Sequence, residues 1–292
     1  MIIPMHTLLE DAKKRVYGIA APNVFNRETI EAAFLAAKEL RAPIILDVAG
    51  VHGVYECADL ARFYERRYPE VPVALNLDHG ETYEEVISAI HAGFSSVMVD
   101  RSECPFEQNV AEVKEIAKIA HVVGISVEAE LGHVGMGNEY EQTRDAGLTR
   151  PEEAVRYVEE TGADCLAVAV GTSHGLYRGT PKLEFDLLDR LAKDVSVPLV
   201  LHGGSSTGDD NLQKAIRHGI QKVNLNTDLN EGGLAMVKAA CENNFMVNVA
   251  PGAGGEMNTQ RMNLQKLFAA GAMGWKEVLK HYVELFGGAG RW

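Results

Sequence analysis

The feature that most restricts the fold of this chain is an alternation. Short apolar runs and helix-period segments follow one another eight times with little in between. The runs are Tyr17–Phe25, Pro43–Val48, Val71–Leu77, Ser95–Asp100, Ile125–Leu131, Asp164–Val170, Val197–Leu201 and Gln221–Leu225. The helical stretches after them are Arg27–Leu40, Glu56–Arg67, Tyr83–His91, Phe106–Val122, Pro151–Glu160, Phe185–Lys193, Asp209–His218 and Leu229–Cys241. Strands apolar on both faces and separated by helices predict a parallel sheet covered on both sides. Eight such units are the number that closes a (β/α)8, or TIM, barrel, a usual fold for one large domain in a chain of 292 residues. A doubly wound open sheet competes, but no GxGxxG follows the first run.

No linker divides the chain before residue 244, so a single domain over 1–292 is expected. After the eighth unit comes NNFMVNVAPGAGGEMNTQR and then a helical tail from Met262 to Phe286. Segment 244–292 is expected to be a C-terminal extension serving as a subunit contact or a lid.

A formal net charge of −13 argues against nucleic acid and anionic membranes as partners, since phosphate backbones reward basic patches. An anionic substrate must then be held locally, by backbone N–H groups for example. No apolar run approaches the length of a membrane span. The start MIIPMHTLLEDAKK carries acids early and has no basic region ahead of an apolar core, so no leader is expected. Cys57, Cys104, Cys165 and Cys241 lie far apart without CxxC spacing, which argues against a disulfide framework or a cysteine zinc site. The expected location is cytoplasmic.

Barrel enzymes place their chemistry at the C-terminal ends of the strands. Here those ends carry Asn23, Asp47, Asp78 with His79, Asp100 with Ser102, Glu130, His174 in GTSHGLY, His202 in LHGGSS, and Asn224 with Asn226 in NLNTDL. Packing alone does not call for so many polar groups there. In NLDHG, Asp78 and His79 are neighbours, which a regular strand would turn to opposite faces. The third strand is therefore expected to stop at this point, with both side chains leaning over one mouth.

Three histidines, His79, His174 and His202, end strands three, six and seven, each beside a glycine (Gly80, Gly175, Gly203). Three imidazoles converging on the mouth match the three-ligand, one-open-position arrangement of catalytic zinc. Taken singly, each could instead cap its strand by bonding a neighbouring carbonyl. The remaining histidines, His6, His52, His91, His121, His133, His218 and His281, read as surface or structural, with His133 a candidate to stand behind the ligands. After strands seven and eight, where barrels often hold a phosphate, Gly203, Gly204, Ser205 and Thr227 suit that role. Ordinary turns with a capping hydroxyl are the plainer reading of the same residues.

The set NLDHG, VDRSECPFEQNV, VEAELGHVG, LAVAVGTSHGLY, VPLVLHGGSS and KVNLNTDL, in this order from about Tyr17 to Asp228, resembles the class II, zinc-dependent ketose-bisphosphate aldolases. The resemblance implies a TIM barrel, a homodimer or homotetramer, and a sugar phosphate substrate cleaved reversibly to dihydroxyacetone phosphate and an aldehyde. It implies that His79, His174 and His202 bind Zn2+, with Glu130 a second metal-site group and a monovalent cation as a further cofactor to be tested. Asp78 would be the acid/base at the acceptor carbonyl. Gly175, Gly203, Ser205, Asn224 and Thr227 would handle the donor and its phosphate. Family members carry an acidic loop residue shortly after the ELG signature, and Glu139, rather than Glu141, is the candidate base here.

Aldol chemistry must stabilise an enolate, by a metal or by a lysine Schiff base. No lysine ends a strand, since Lys222 begins strand eight rather than ending it, so the metal route is preferred. Departures from the family pattern fall on the acceptor side. Strand four ends Asp100-Arg101-Ser102 in place of aspartate-glycine-serine, strand two ends Asp47-Val48-Ala49, and Asn226 replaces an aspartate. The arginine-bearing DPR segment is missing. Asp47 would oppose a second phosphate by about a kcal/mol at short range, or bond a sugar hydroxyl, while Arg101 and Arg261 are candidates to read an acceptor anion. A ketose 1-phosphate or bisphosphate, with an acceptor other than glyceraldehyde 3-phosphate, is the expected substrate. The alternatives are a non-catalytic sugar-phosphate-binding barrel, a dehydratase or epimerase using the same enediolate, and a metal-dependent amidohydrolase, which lacks its HxH pair on strand one.

Overall fold

The computed structural model describes residues 2–135, 145, 147–175, 181–244 and 263–292. Its strands are β1 (Ile19–Pro22), β2 (Ile44–Ala49), β3 (Val73–Gly80), β4 (Ser96–Val99), β5 (Ser126–Leu131), β6 (Cys165–Val168), β7 (Leu199–Leu201) and β8 (Ile220–Leu225). They pair in parallel in chain order, and β1 pairs with β8. An isolated bridge between Asn23 and Asp47 joins β1 to β2, the Val24 amide donating to the Asp47 carbonyl at 2.9 Å. The eight-stranded barrel is thereby closed, as the alternation predicts.

The helices are α1 (Met5–Arg15), α2 (Arg27–Leu40), α3 (Val54–Arg67), α4 (Tyr83–Ala92), α5 (Phe106–Val122), α6 (Pro151–Thr161), α7 (Phe185–Asp194), α8 (Asp209–Arg217), α9 (Thr227–Asn244) and α10 (Leu264–Leu285). Local chemistry fixes several starts. Asn26 accepts from the Thr29 amide and the Thr29 hydroxyl answers, a capping box that opens α2; Thr82 and Glu85 do the same for α4. The buried face of α2, which includes Ile30, Ala33, Phe34 and Ala37, repeats at helical spacing and packs on the outer face of the barrel.

The strands are not apolar on both faces throughout, and here the sequence reading needs correction. Along each strand alternate residues enter the barrel. Its lowest layer is apolar, with Ile45, Ala74, Cys165, Ala167 and Val200 packed against Met5, Leu8, Leu9 and Ala12 of α1, which plugs the N-terminal end. The strand–helix alternation does not include that helix. Above this layer lies a fully buried polar one: Asp47, Asn76, Glu128 and Lys222. Asn76 Nδ2 donates to Asp47 Oδ1 at 2.9 Å and to Glu128 Oε2 at 3.1 Å, while Lys222 Nζ lies 2.7 Å from Glu128 and 3.1 Å from Asp47. This layer is the floor on which the top layer stands.

Helix α10 covers α2 and α9. A Cβ on Gly274 would lie 2.3 Å from the Gly232 carbonyl, so the α9–α10 crossing requires glycine there. Lys276 and Lys280 pair with Glu39 of α2.

Candidate metal centre and active site

The end of β3 answers the puzzle of NLDHG, though not by stopping. The strand runs on to Gly80, but its register against β4 shifts between Leu77 and Gly80. At the shift His79 takes φ 52°, a left-handed conformation unusual for a residue with a side chain. This bulge turns the imidazole to the same side as Asp78. Gly80 must be glycine, because a Cβ there would sit 2.5 Å from the Met98 carbonyl.

His79, His174 and His202 converge. Their ring centroids are 5.0 Å (79–174), 4.7 Å (79–202) and 5.7 Å (174–202) apart, and one nitrogen from each lies within 4.8 Å of the others. For two of the rings the outer nitrogen is spoken for. His79 Nδ1 lies 2.7 Å from Asp100 Oδ2, and His202 Nε2 lies 3.1 Å from Glu128 Oε1. A carboxylate accepts only, so each bond fixes N–H on the outer side and leaves the inner nitrogen to a metal, as in carboxylate–histidine–metal arrangements. The inner pair, His79 Nε2 and His202 Nδ1, is 3.0 Å apart.

Glu130 joins them. Its Oε1 accepts from the Val134 amide at 3.1 Å, while Oε2 is buried, without a hydrogen-bond partner, 3.6 Å from His202 Nδ1. Burial pushes its pKa up, opposed mainly by His202. An orphaned buried carboxylate oxygen beside three convergent imidazoles is the donor set a divalent cation satisfies, and N/O ligands in this number suit zinc. His79, Asp100 and Glu130 form an overlapping second group of possible ligands.

The rings differ electrostatically. Burial would lower His79, but Asp78, Asp100 and Glu130 outweigh it and raise its pKa to about 10. Burial, then the other two histidines, lower His174 to about 3. Without a metal, His79 rather than His174 carries a proton.

Asp78 is 6% exposed and gripped on both oxygens: Asn23 Nδ2 donates at 2.8 Å and Asn224 Nδ2 at 3.0 Å. Burial works to raise its pKa, but His79, His202 and Lys222 together hold it well below the usual carboxylate range. It stands 3.8 Å from His79 Nε2. The two asparagines therefore orient an acid/base candidate as well as line the cavity.

A cavity of about 560 Å³ opens above these groups. Gly175, Gly203, Gly204, Ser205, Asn226 and Thr227 line it, where the sequence places the phosphate. Gly203 has φ 66°, and a Cβ on it would meet the Ser173 carbonyl at 2.2 Å. The Ser205 hydroxyl accepts from the amides of Asn226 (3.1 Å) and Asp228 (3.3 Å), tying the β7 and β8 loops together. Ser206 donates to Asp228 from its amide (2.8 Å) and hydroxyl (3.0 Å), and Tyr282 of α10 donates to the same carboxylate.

Several sequence-based assignments move. Asp47 is 0% exposed and held by Lys222 and Asn76 in the polar floor, so it does not face a substrate in the mouth. Lys222, third residue of β8, points into the barrel and is equally buried. Arg101 turns inward to Glu112 and the Gly80 carbonyl, and reads no acceptor anion. Ser102 lies outside the cavity lining: its amide donates to Asp100 at 3.0 Å and its hydroxyl meets His133 at 3.1 Å. Glu139, Glu141 and Arg261 lie outside the described residues. Two residues escaped sequence reasoning. Glu128 supports His202, and its signal was the i, i+2 spacing to Glu130, which puts both on one face of β5. His52, in the 3-10 turn Gly50–His52 after β2, lines the cavity with no motif to announce it.

Comparison with known proteins gives the family and the fold. The family model "Fructose-bisphosphate aldolase class-II" matches residues 3–291. The YdjI aldolase of Escherichia coli K12 superposes with a TM-score of 0.84 at 32% identity, covering 100% of this chain and 99% of its own. The fructose-bisphosphate aldolase (Fba) of Campylobacter jejuni has a TM-score of 0.83, at 21% identity, with 99% and 96% coverage, and shares the fold. With its barrel, its histidine cluster and a match over nearly its whole length, the chain belongs to the class II fructose-bisphosphate aldolase family.

Proposed function

We propose that this protein is a zinc-dependent aldolase that cleaves a ketose 1-phosphate reversibly to dihydroxyacetone phosphate and an aldehyde. The observation that carries the reading is the meeting of His79, His174 and His202 beside the doubly gripped carboxylate of Asp78. Zinc bound by the three rings, with Glu130 alongside, would supply Lewis acidity to the donor's carbonyl and hydroxyl oxygens. The donor phosphate fits against Gly203, Gly204, Ser205 and Thr227, with Gly175 and Asn226 at its edge.

Asp78 does the proton work at the acceptor oxygen. It is held ionised, so in cleavage it begins as the base that takes the hydroxyl proton; in synthesis it returns that proton to the aldehyde oxygen. Lys222 is no Schiff-base candidate, because a buried ammonium paired with two carboxylates is held protonated. The proton on the donor carbon falls to a loop base, for which Glu139 remains the proposal. A cytoplasmic homo-oligomer is part of the same proposal, with Leu264, Phe268 and Met273, exposed on α10, as the candidate subunit contact; the four cysteines are free and no described helix is long and apolar enough to cross a membrane.

The test is solvent exchange. Protein with one equivalent of zinc should wash deuterium into dihydroxyacetone phosphate and, given an aldehyde, condense the two; a chelator should stop both. A sugar-phosphate-binding barrel would bind the phosphate without exchange, and that result rejects the aldolase.

A further inference from the structure

The wall of the cavity away from the phosphate loops has a chemistry of its own. It is built by Ala49 at the end of β2, Val51 and His52 after it, Glu81 after β3, Glu103 after β4 and His133 after β5. Among the described residues that line the cavity there is no lysine or arginine. Arg101, just after β4, is turned away into Glu112. A phosphate dianion placed here would face Glu81 and Glu103 with no lysine or arginine among the described lining residues to neutralise it, and like charges at short range repel. Carboxylates and imidazoles do bind hydroxyl groups, as acceptors and donors on fixed frames.

His52 is the best placed of them. Its ring sits 5.6 Å from that of Phe25, which holds it at the cavity edge, and its Nδ1 is buried without a hydrogen-bond partner. Buried polar atoms without partners are uncommon in folded proteins and ask for an explanation.

We propose, building on the aldolase reading above, that this wall receives the acceptor half of the substrate as an uncharged hydroxyaldehyde, with His52 as the specificity-determining residue that reads its hydroxyl. Burial keeps the His52 pKa below its ordinary value against the pull of Asp78 and the Val24 carbonyl. A neutral ring whose N–H faces the Val24 carbonyl keeps its other nitrogen as an acceptor for a hydroxyl, and offers no charge to a phosphate.

The experiment pairs dihydroxyacetone phosphate with three acceptors on the zinc-loaded enzyme: glyceraldehyde, propanal, which lacks the hydroxyls, and glyceraldehyde 3-phosphate. Wild type should prefer glyceraldehyde to its phosphate by at least about tenfold in kcat/KM. His52→Ala should lower the glyceraldehyde-to-propanal ratio of kcat/KM by at least about tenfold, the loss of one hydrogen bond made to substrate and not to its analogue. The Glu103 side chain is 83% exposed, so Glu103→Lys should not disturb folding and should shift preference toward the phosphorylated acceptor. A wild-type preference for glyceraldehyde 3-phosphate, or an unchanged ratio in His52→Ala, overturns the proposal while leaving the aldolase intact. Absence of deuterium exchange into dihydroxyacetone phosphate in wild type overturns the aldolase reading, and this one with it.

Discussion

Glu128 lies directly beneath His202, with 3.1 Å between its Oε1 and the ring Nε2. Its other oxygen takes Lys222 at 2.7 Å and Asn76 at 3.1 Å, so one carboxylate couples the candidate metal site to the polar floor of the barrel. Burial alone would push Glu128 toward its neutral form; Lys222, then His202, hold it ionised. An ionised Glu128 fixes which nitrogen of His202 carries the proton, and hence which one faces a metal.

Removing that support should therefore weaken metal binding without touching a ligand. Glu128→Ala should lower zinc affinity by about 10–100-fold, measured by competition with a chromophoric chelator. Glu128→Gln, which keeps an acceptor for the ring, should lose less. Equal affinity in wild type and Glu128→Ala would show that His202 is oriented by other contacts.

Lys222 makes the converse case. Replacing it by Met leaves Asp47 and Glu128 buried together without their cation, a change worth about 3–5 kcal/mol of stability when one partner of a buried pair is lost. A denaturant midpoint reads that cost. Borohydride added with dihydroxyacetone phosphate should leave no adduct on Lys222 in the wild type, because no imine forms; a labelled lysine would return the Schiff-base route to consideration.

Lys222 and Asp47 also show where the sequence was legible. The order and number of strand–helix units, and the polar ends at His79, His174, His202 and Asp78, follow from periodicity and position, because alternation and rim placement are local properties. The polar floor does not. Asp47, Asn76, Glu128 and Lys222 sit far apart in the chain, and only closure of the barrel gives each its partner. Asp47 in particular reads as a rim residue because it lies one residue from the end of the apolar run Pro43–Val48, whereas the strand runs to Ala49 and the carboxylate is fully buried within the barrel. The bulge at His79 was equally hidden, since a register shift is set by the neighbouring strand and by the close approach at Gly80. The inward turn of Arg101 depends on Glu112 of α5, a contact that no spacing rule announces.

Metal uptake should release protons over an unusually alkaline range. His79 is raised from 6.5 to about 10 in the metal-free protein, so its second proton, on the Nε2 that faces the His202 ring, stabilises that form fully below about pH 6.5. The contribution is lost as pH rises from there through about 10. A metal must displace this proton, so apparent cobalt or zinc affinity should keep rising about tenfold per pH unit between roughly pH 7 and 9. An ordinary imidazole site would level off near neutrality. A plateau from pH 7 upward would mean that His79 is already neutral before the metal arrives.

Asp78→Asn should separate chemistry from assembly. The substitution keeps the size of the side chain and one oxygen for Asn23 or Asn224, but it removes the group assigned to proton transfer. Aldol cleavage should fall by at least about 10²-fold, the usual scale of acid–base catalysis, while one equivalent of zinc is still bound. A zinc-loaded variant of near-normal rate would take Asp78 out of the mechanism.

The last prediction concerns a contact made by the C-terminal helix. Tyr282 of α10 donates to Asp228, the carboxylate that also accepts from the amide and hydroxyl of Ser206. Burial and the bond to Asp228 raise the Tyr282 pKa, so the phenol stays protonated and remains a donor. Ser206 holds φ 60°, a strained conformation for serine, directly after the Ser205 hydroxyl that clamps the β7 and β8 loops. Tyr282→Phe deletes one hydrogen bond, about 1 kcal/mol, from the base of the proposed phosphate loop and leaves the ring packing in place. KM for dihydroxyacetone phosphate should rise about fivefold with little change in kcat, because the phosphate is held alike in ground and transition states. A fall in kcat at constant KM would instead place Tyr282 in the service of the reacting centre, and no change in either would leave Asp228 anchored by Ser206 alone.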